Sequence, residues 1–126
     1  TQTRCVLSER AQLYLAPSDK GMAWPTPRYT PLRHVDTNAD WHLVEDFEGD
    51  RFWVHNQYVT DNGFLICGVL KTMATAYSGP GPDHELVGTL PALMGLRIVE
   101  YTSGWIHGVS SDDREVWVPE ATVKIF

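Results

Sequence analysis

Residues 41–59 read WHLVEDFEGDRFWVHNQYV, and residues 105–123 read WIHGVSSDDREVWVPEATV. Each stretch opens on Trp, carries a second Trp followed by Val, and ends on Val. The shared residues lie 64 positions apart in every case: Trp41 and Trp105, Trp53 and Trp117, Val54 and Val118, Val59 and Val123. Since Trp is rare and a fixed self-similarity decides an architecture, the chain is predicted to contain two tandem copies of one small domain.

Each stretch also predicts a β-hairpin. In the first copy, apolar-rich segments at 41–44 and 51–55 flank turn-forming residues at 47–50, and the second copy repeats this order. Residues 56–58 are short enough for a single 3₁₀ turn before Val59. Apolar residues nowhere recur at helical spacing over three turns. The fold class is therefore predicted to be all-β.

The polar segment 60–63 is the predicted junction, which gives domains at 1–61 and 62–126. Residues 17–31 of the first copy hold four prolines and predict a long irregular loop, because proline excludes a helix and any central strand. The corresponding loop of the second copy, at 78–83, is shorter and richer in glycine.

The charge pattern excludes several classes of partner. The net charge of −6 divides equally, with −3 in each half, and no basic cluster exists. An acidic chain lacks the electrostatic attraction that dominates binding to nucleic acid or to an anionic membrane surface. No apolar run is long enough to span a bilayer, so membrane insertion is not expected. The start at Thr1, without Met or a signal peptide, is typical of a mature or excised fragment.

Cys5 and Cys67 each lie in the apolar segment that opens a copy. One interpretation is a disulfide that ties the copies together and implies an oxidising compartment. The other is a pair of free thiols buried as small apolar groups. The sequence leaves both open.

The motifs resemble the bacterial SH3-like (SH3b) family over nearly the whole chain. They are an early loop with Pro at 15–17 and 78–80, a Trp before each hairpin, and a Trp–Val step at 52–54 and 116–118. The chain departs from the family pattern because the Arg of the early loop and the Gly before the second Trp are missing. The resemblance implies two tandem SH3-like barrels, each a five-stranded, strongly bent sheet. It also implies a binding module that recognises peptidoglycan peptides or proteins.

The sequence offers little support for a catalytic site or for a metal site. The five histidines form no motif with either cysteine. The carboxylates around the first hairpin lie in turns, where Asp and Glu are ordinarily solvated. His42 and His55 could approach each other across that hairpin, but no third ligand accompanies them, and zinc prefers four. We therefore predict no enzymatic activity, no metal and no cofactor.

Aromatic residues are the remaining candidates for a ligand site. The candidates stand before the loops, inside the proline-rich loop or at the hairpin starts: Tyr14, Trp24, Tyr29, Trp41, Tyr77 and Trp105. Trp53 and Trp117 are expected to be barrel core or packing residues instead. In SH3-like barrels a ligand groove lies between the long early loop and the loop before such a Trp, and aromatic residues there build binding hot spots. Trp24 could instead pack its loop onto a barrel.

The leading functional hypothesis is a non-catalytic module that binds a peptide, peptidoglycan or a protein in a groove beside Trp24 and Trp41, with a counterpart around Tyr77 and Trp105. Such a module would belong to a larger envelope protein in an extracellular or cell-envelope setting, of bacterial type. The alternative is a structural spacer or protein-interaction domain with no small ligand.

Overall fold

The structure, a computed structural model, describes residues 3–125; Thr1, Gln2 and Phe126, which the predicted domains include, lie outside the described residues. The strands of the first copy are β1 (Thr3–Val6), β2 (Gln12–Tyr14), β3 (Ala23–Pro25), β4 (Pro31–Asn38), β5 (Trp41–Glu45), β6 (Arg51–His55) and β7 (Val59–Thr60). Those of the second are β8 (Cys67–Leu70), β9 (Ala74–Tyr77), β10 (Leu86–Leu90), β11 (Gly95–Thr102), β12 (Trp105–Ser110), β13 (Glu115–Pro119) and β14 (Val123–Ile125). Single 3₁₀ turns, Asn56–Tyr58 and Glu120–Thr122, precede β7 and β14.

The two copies have the same topology. Each forms one antiparallel sheet of seven strands, in the orders β3-β2-β6-β5-β4-β1-β7 and β10-β9-β13-β12-β11-β8-β14. The all-β class and the two β units are thus confirmed. The predicted count of five strands was too low, because the early part of each copy folds into an additional hairpin, β2–β3 or β9–β10.

The proline-rich loop is the main difference from the prediction in the first copy. Residues 23–25 were expected to be irregular, yet they form β3, which pairs Leu13 with Trp24 and Gln12 with Pro25. This strand ends the sheet. Proline, which has no N–H to donate, is accepted at such an edge. Pro31 likewise stands at the first residue of β4, opposite Cys5.

Each sheet curls around its own apolar core. The core of copy one consists of Val6, Ala11, Leu13, Leu32, Val44 and Val54. The core of copy two consists of Leu70, Ala74, Ala76, Leu90, Leu96, Ile106, Val116, Val118 and Val123. Val6 and Leu13 share a core although their strands stand four places apart in the sheet, which requires strong bending.

Trp53 and Trp117, expected to be core or packing residues, lie outside the two apolar cores as half-buried packing residues. Successive side chains of a strand point to opposite faces of the sheet. Val54 and Val118 are fully buried, so the preceding Trp of each strand faces outward, where both indoles are half-buried. The Trp–Val step therefore places one residue on each face, with the valine inside.

The two copies are joined covalently and by packing. Cys5 and Cys67 form a disulfide with their Cα atoms 6.0 Å apart. The Arg28 guanidinium of copy one donates to the Asp113 carboxylate and, at 3.4 Å, to the Ser111 carbonyl oxygen of copy two. The disulfide decides between the two interpretations of the cysteines in favour of the bonded form.

Candidate functional site

An outward-facing aromatic cluster in copy one is the leading candidate site. We define it by Tyr14, Trp41, His55 and Tyr58. Trp41 lies at its centre, with ring centroids 5.4 Å from Tyr14 and 5.2 Å from His55, both nearly perpendicular. His55 in turn lies 6.2 Å from Tyr58. All four side chains are half-buried and therefore present apolar area to solvent.

Strand register explains why these side chains share a face. Trp41 pairs directly with His55 between β5 and β6, and Tyr14 pairs directly with Trp53 between β2 and β6. Residues directly opposite each other on neighbouring strands point to the same side of a sheet. Since Trp53 faces away from the core, Tyr14, Trp41 and His55 do so as well. Tyr58 lies in the 3₁₀ turn and also packs against the core of copy one.

The 3₁₀ turn fixes one wall of the cluster. His55 precedes the turn, and its Nδ1 accepts a hydrogen bond from the Gln57 backbone N–H at 3.1 Å. This bond orients the ring and makes Nε2 the protonated nitrogen of the neutral imidazole. The cluster thus offers aromatic rings with few rotatable bonds beside one directed N–H donor, a combination suited to a ligand with a carbonyl.

Copy two carries a reduced version of the cluster. Tyr77 and Trp105 lie 5.9 Å apart and nearly perpendicular, as their counterparts do. However, Pro119 occupies the position of His55, and Thr122 that of Tyr58. His107 instead stacks flat on Trp117 at 4.7 Å and lies 3.6 Å from the carboxylates of Glu100 and Glu115. The second cluster has therefore lost one aromatic wall and the N–H donor.

The structure separates Trp24 and Tyr29 from the other predicted site residues. Trp24 pairs with the buried Leu13 and packs against Phe52 at 5.7 Å, on the face opposite Trp41. Tyr29 lies under the Arg28 guanidinium, 4.8 Å from its ring centroid, where copy one meets copy two. Of the six candidates, the structure brings together Tyr14 with Trp41 and Tyr77 with Trp105.

Sequence reasoning missed His55 and Tyr58 as members of the cluster. The sequence contained a signal for these two residues, because it predicted a 3₁₀ turn at 56–58. His55 stands between the Trp–Val step and this turn, and Tyr58 is the last residue of the turn. Only the register of Trp41 with His55, and the ring contact of His55 with Tyr58, show that these residues reach the cluster.

His42 and His55 lie on opposite faces of the sheet. His42 pairs with Val54, so it lies on the other face, where its ring meets that of His34 at 5.1 Å. The Thr37 hydroxyl lies between them, 2.8 Å from His34 Nε2 and 3.3 Å from His42 Nδ1. Partial burial, followed by the positive charge of Arg4 and by His34, lowers the pKa of His42 below its ordinary value of 6.5.

This lowered pKa predicts a loss of stability in mild acid. The unfolded chain binds a proton at His42 more tightly than the folded chain does, so the folded state is favoured above pH 6.5 and loses that advantage as pH falls through the folded pKa. We expect the thermal midpoint to fall between pH 7 and pH 5, and to fall less in His42→Gln. Thermal unfolding followed by circular dichroism would measure this, with His84→Gln as control. An unchanged slope in His42→Gln would contradict the assignment.

Among residues 3–125, no group of three or more His, Cys, Asp or Glu side chains is placed to hold a metal ion. In the same part of the chain, no helix is long and apolar enough to cross a membrane.

Comparison with known proteins gives two distant structural likenesses. The chain is similar to NlpC2 of Trichomonas vaginalis, with a TM-score of 0.44 and 13% identity over 98% of this chain and 48% of that one. It is similar to NlpC1 of the same organism, with a TM-score of 0.43 and 11% identity over 98% of this chain and 45% of that one. The chain spans about half the length of both. No family model and no curated protein matches it. The fold therefore rests on the strand order and register described above.

Proposed function

We propose that the protein is a non-catalytic binding module that holds an extended peptide, from the cell wall or from a protein, on the aromatic cluster of copy one. The supporting observation is the row of half-buried rings from Tyr14 through Trp41 to His55 on the outward face, with Tyr58 beside His55. Tyr58 also packs against the core of copy one, whereas Tyr14 and Trp41 are not among the described apolar side chains that do so. Aromatic groups that expose large apolar area at low entropic cost are how binding hot spots are built.

An extended peptide is the ligand class that suits this surface best. Such a chain has little conformational entropy to lose on binding, and its side chains can enter successive gaps between rings. Its backbone carbonyls would meet the His55 Nε2–H, between Trp41 and Tyr58. Copy two, where Pro119 replaces the histidine, is expected to bind more weakly.

The setting we propose is extracellular or within the cell envelope. A disulfide between Cys5 and Cys67 persists in oxidising compartments and is rare in reducing ones. The acidic charge of −6, without a basic patch, supports a peptide or wall partner over nucleic acid or membrane lipid.

A second candidate function is a rigid spacer. The disulfide and the contacts of Arg28 with Asp113 and Ser111 tie the two copies together, as a spacer requires. A spacer would not need the aromatic cluster, which is why we place it second.

Co-sedimentation with purified bacterial peptidoglycan would test the binding proposal. The parent protein should pellet with the wall, and Trp41→Ala should weaken binding about tenfold, the usual cost of removing a hot-spot aromatic. Trp105→Ala should have a smaller effect. Phe64→Ala is the matched control, because that ring is 99% exposed and lies outside the cluster.

Two outcomes would count against the proposal. If the parent stays in solution, wall binding is rejected, and the protein must be tested against extended peptides in general. If Phe64→Ala weakens binding as much as Trp41→Ala, the cluster is not the site.

A further inference from the structure

A cavity of about 240 Å³ lies on the opposite side of copy one, away from the aromatic cluster. Its walls are apolar and come from both copies: Leu13, Trp24, Leu32 and Phe52 from the first, Val69 and Leu93 from the second. The Trp24 ring is 38% exposed, so it is accessible from solvent. The cavity is therefore separate from the site proposed above, and copy two completes its wall with Val69 and Leu93.

The rim of this cavity is acidic. The turn between β5 and β6 contributes Asp46, Phe47 and Glu48. One oxygen of Asp46 accepts hydrogen bonds from the backbone N–H groups of Glu48 at 3.0 Å and Asp50 at 2.9 Å, which hold this carboxylate in the turn. Glu48 is exposed. Within residues 3–125, neither carboxylate forms a salt bridge.

An apolar cavity whose rim carries two carboxylates without salt bridges favours one class of ligand. An anionic ligand would be repelled, and a neutral apolar one would gain no attraction from the carboxylates. A cation attached to an apolar chain suits both the apolar walls and the carboxylates of the rim. The exposed Trp24 ring adds a favourable surface for a cation. The negative charge of this rim agrees with the net charge of −3 on this half of the chain.

We propose that this cavity is a second binding site, and that it takes a side chain of lysine type: an unbranched apolar chain that ends in an ammonium group. At about 30 Å³ for each water in the liquid, the space corresponds to roughly eight waters. That volume accommodates the four methylenes and the nitrogen of such a side chain. The chain would contact Leu32 and Phe52, and the ammonium group would lie between Asp46 and Glu48.

Titration of the isotopically labelled protein with n-pentylammonium, followed by nuclear magnetic resonance, would test this proposal. We expect saturable shifts of the Trp24 indole N–H and of the Val69 and Leu93 amides, with no comparable change at Trp41. Glu48→Gln should weaken binding about two- to fivefold, as expected for a partly exposed ion pair. Glu85→Gln, an exposed carboxylate of copy two, is the matched control.

Pentanol and pentanoate separate the charge requirement from simple apolar binding. Both should bind at least twofold more weakly than n-pentylammonium. The proposal is overturned if n-pentylammonium produces no saturable shift at Trp24, if pentanol binds equally well, or if Glu85→Gln weakens binding as much as Glu48→Gln. Because the readout is at Trp24 rather than Trp41, this result is independent of the peptidoglycan experiment.

Discussion

Replacing both Cys5 and Cys67 with alanine should lower the free energy of unfolding by about 4 kcal/mol, the chain-entropy value for a closed loop of about 60 residues. The bond joins residues 62 positions apart. Without it, the unfolded chain regains the freedom that this loop had removed. Each copy is small, and domains of this size retain little stability in reserve. The loss should therefore be a large fraction of the total.

Denaturant unfolding of the parent, with and without reductant, measures the same effect without any substitution. Both Cys side chains are almost fully buried. Alanine is therefore chosen in the variant over serine, which would bury a hydroxyl. Reductant should shift the parent midpoint and leave the double alanine variant unchanged. Equal midpoints for the oxidised and reduced parent would show that the bond contributes no stability.

Gly95→Ala should be the most damaging single substitution at the contact between the copies, with a cost of about 3 kcal/mol, at the upper end for overpacking. A Cβ at Gly95 would lie 2.8 Å from the Thr30 nitrogen and 2.8 Å from the Tyr29 carbonyl carbon, and closer still to the Arg28 carbonyl oxygen. All three atoms belong to the backbone, which cannot move aside as a side chain can. Copy two would have to separate from the Arg28 segment.

Gly63→Ala is the matched control for this prediction, because a Cβ there meets nothing within 4 Å. Thermal unfolding of the two variants gives the comparison. Gly95→Ala should also reduce n-pentylammonium binding, since the wall formed by Val69 and Leu93 would move away from Trp24. If both alanine variants unfold at the parent temperature, the close packing of the two copies is not required for stability.

The repeat of Trp and Val was enough to predict the fold class and the two hairpins. This prediction succeeded because a hairpin needs only local signals, namely apolar segments, turn residues between them, and a short return turn. The error at residues 23–25 has a physical cause. Proline disfavours a central strand, but whether a strand lies at an edge depends on the whole sheet order, which local sequence does not contain. The same dependence on the order of the whole sheet explains why the predicted count of five strands for each copy was too low.

The candidate site was predicted only in part, because residue type does not reveal which face of a sheet a side chain occupies. Trp24 and Trp41 are equally aromatic, yet their strands place them on opposite faces. A shift of one residue in register would exchange those faces. Trp53 illustrates the point: the sequence left it as either a core or a packing residue, and only the register shows that Val54 beside it fills the core.

The position of the disulfide also determines how the molecule responds to mechanical tension. If the described chain were pulled from its two ends, the load would enter through residues 3–5, cross from Cys5 to Cys67, and continue into copy two. Residues 6–66 would carry no force. With the bond intact copy one could not be stretched open, and reduction would release roughly 200 Å of additional length at about 3.5 Å per residue. The bond thus acts as a mechanical bypass that shields copy one, and with it the aromatic cluster, while copy two bears the tension.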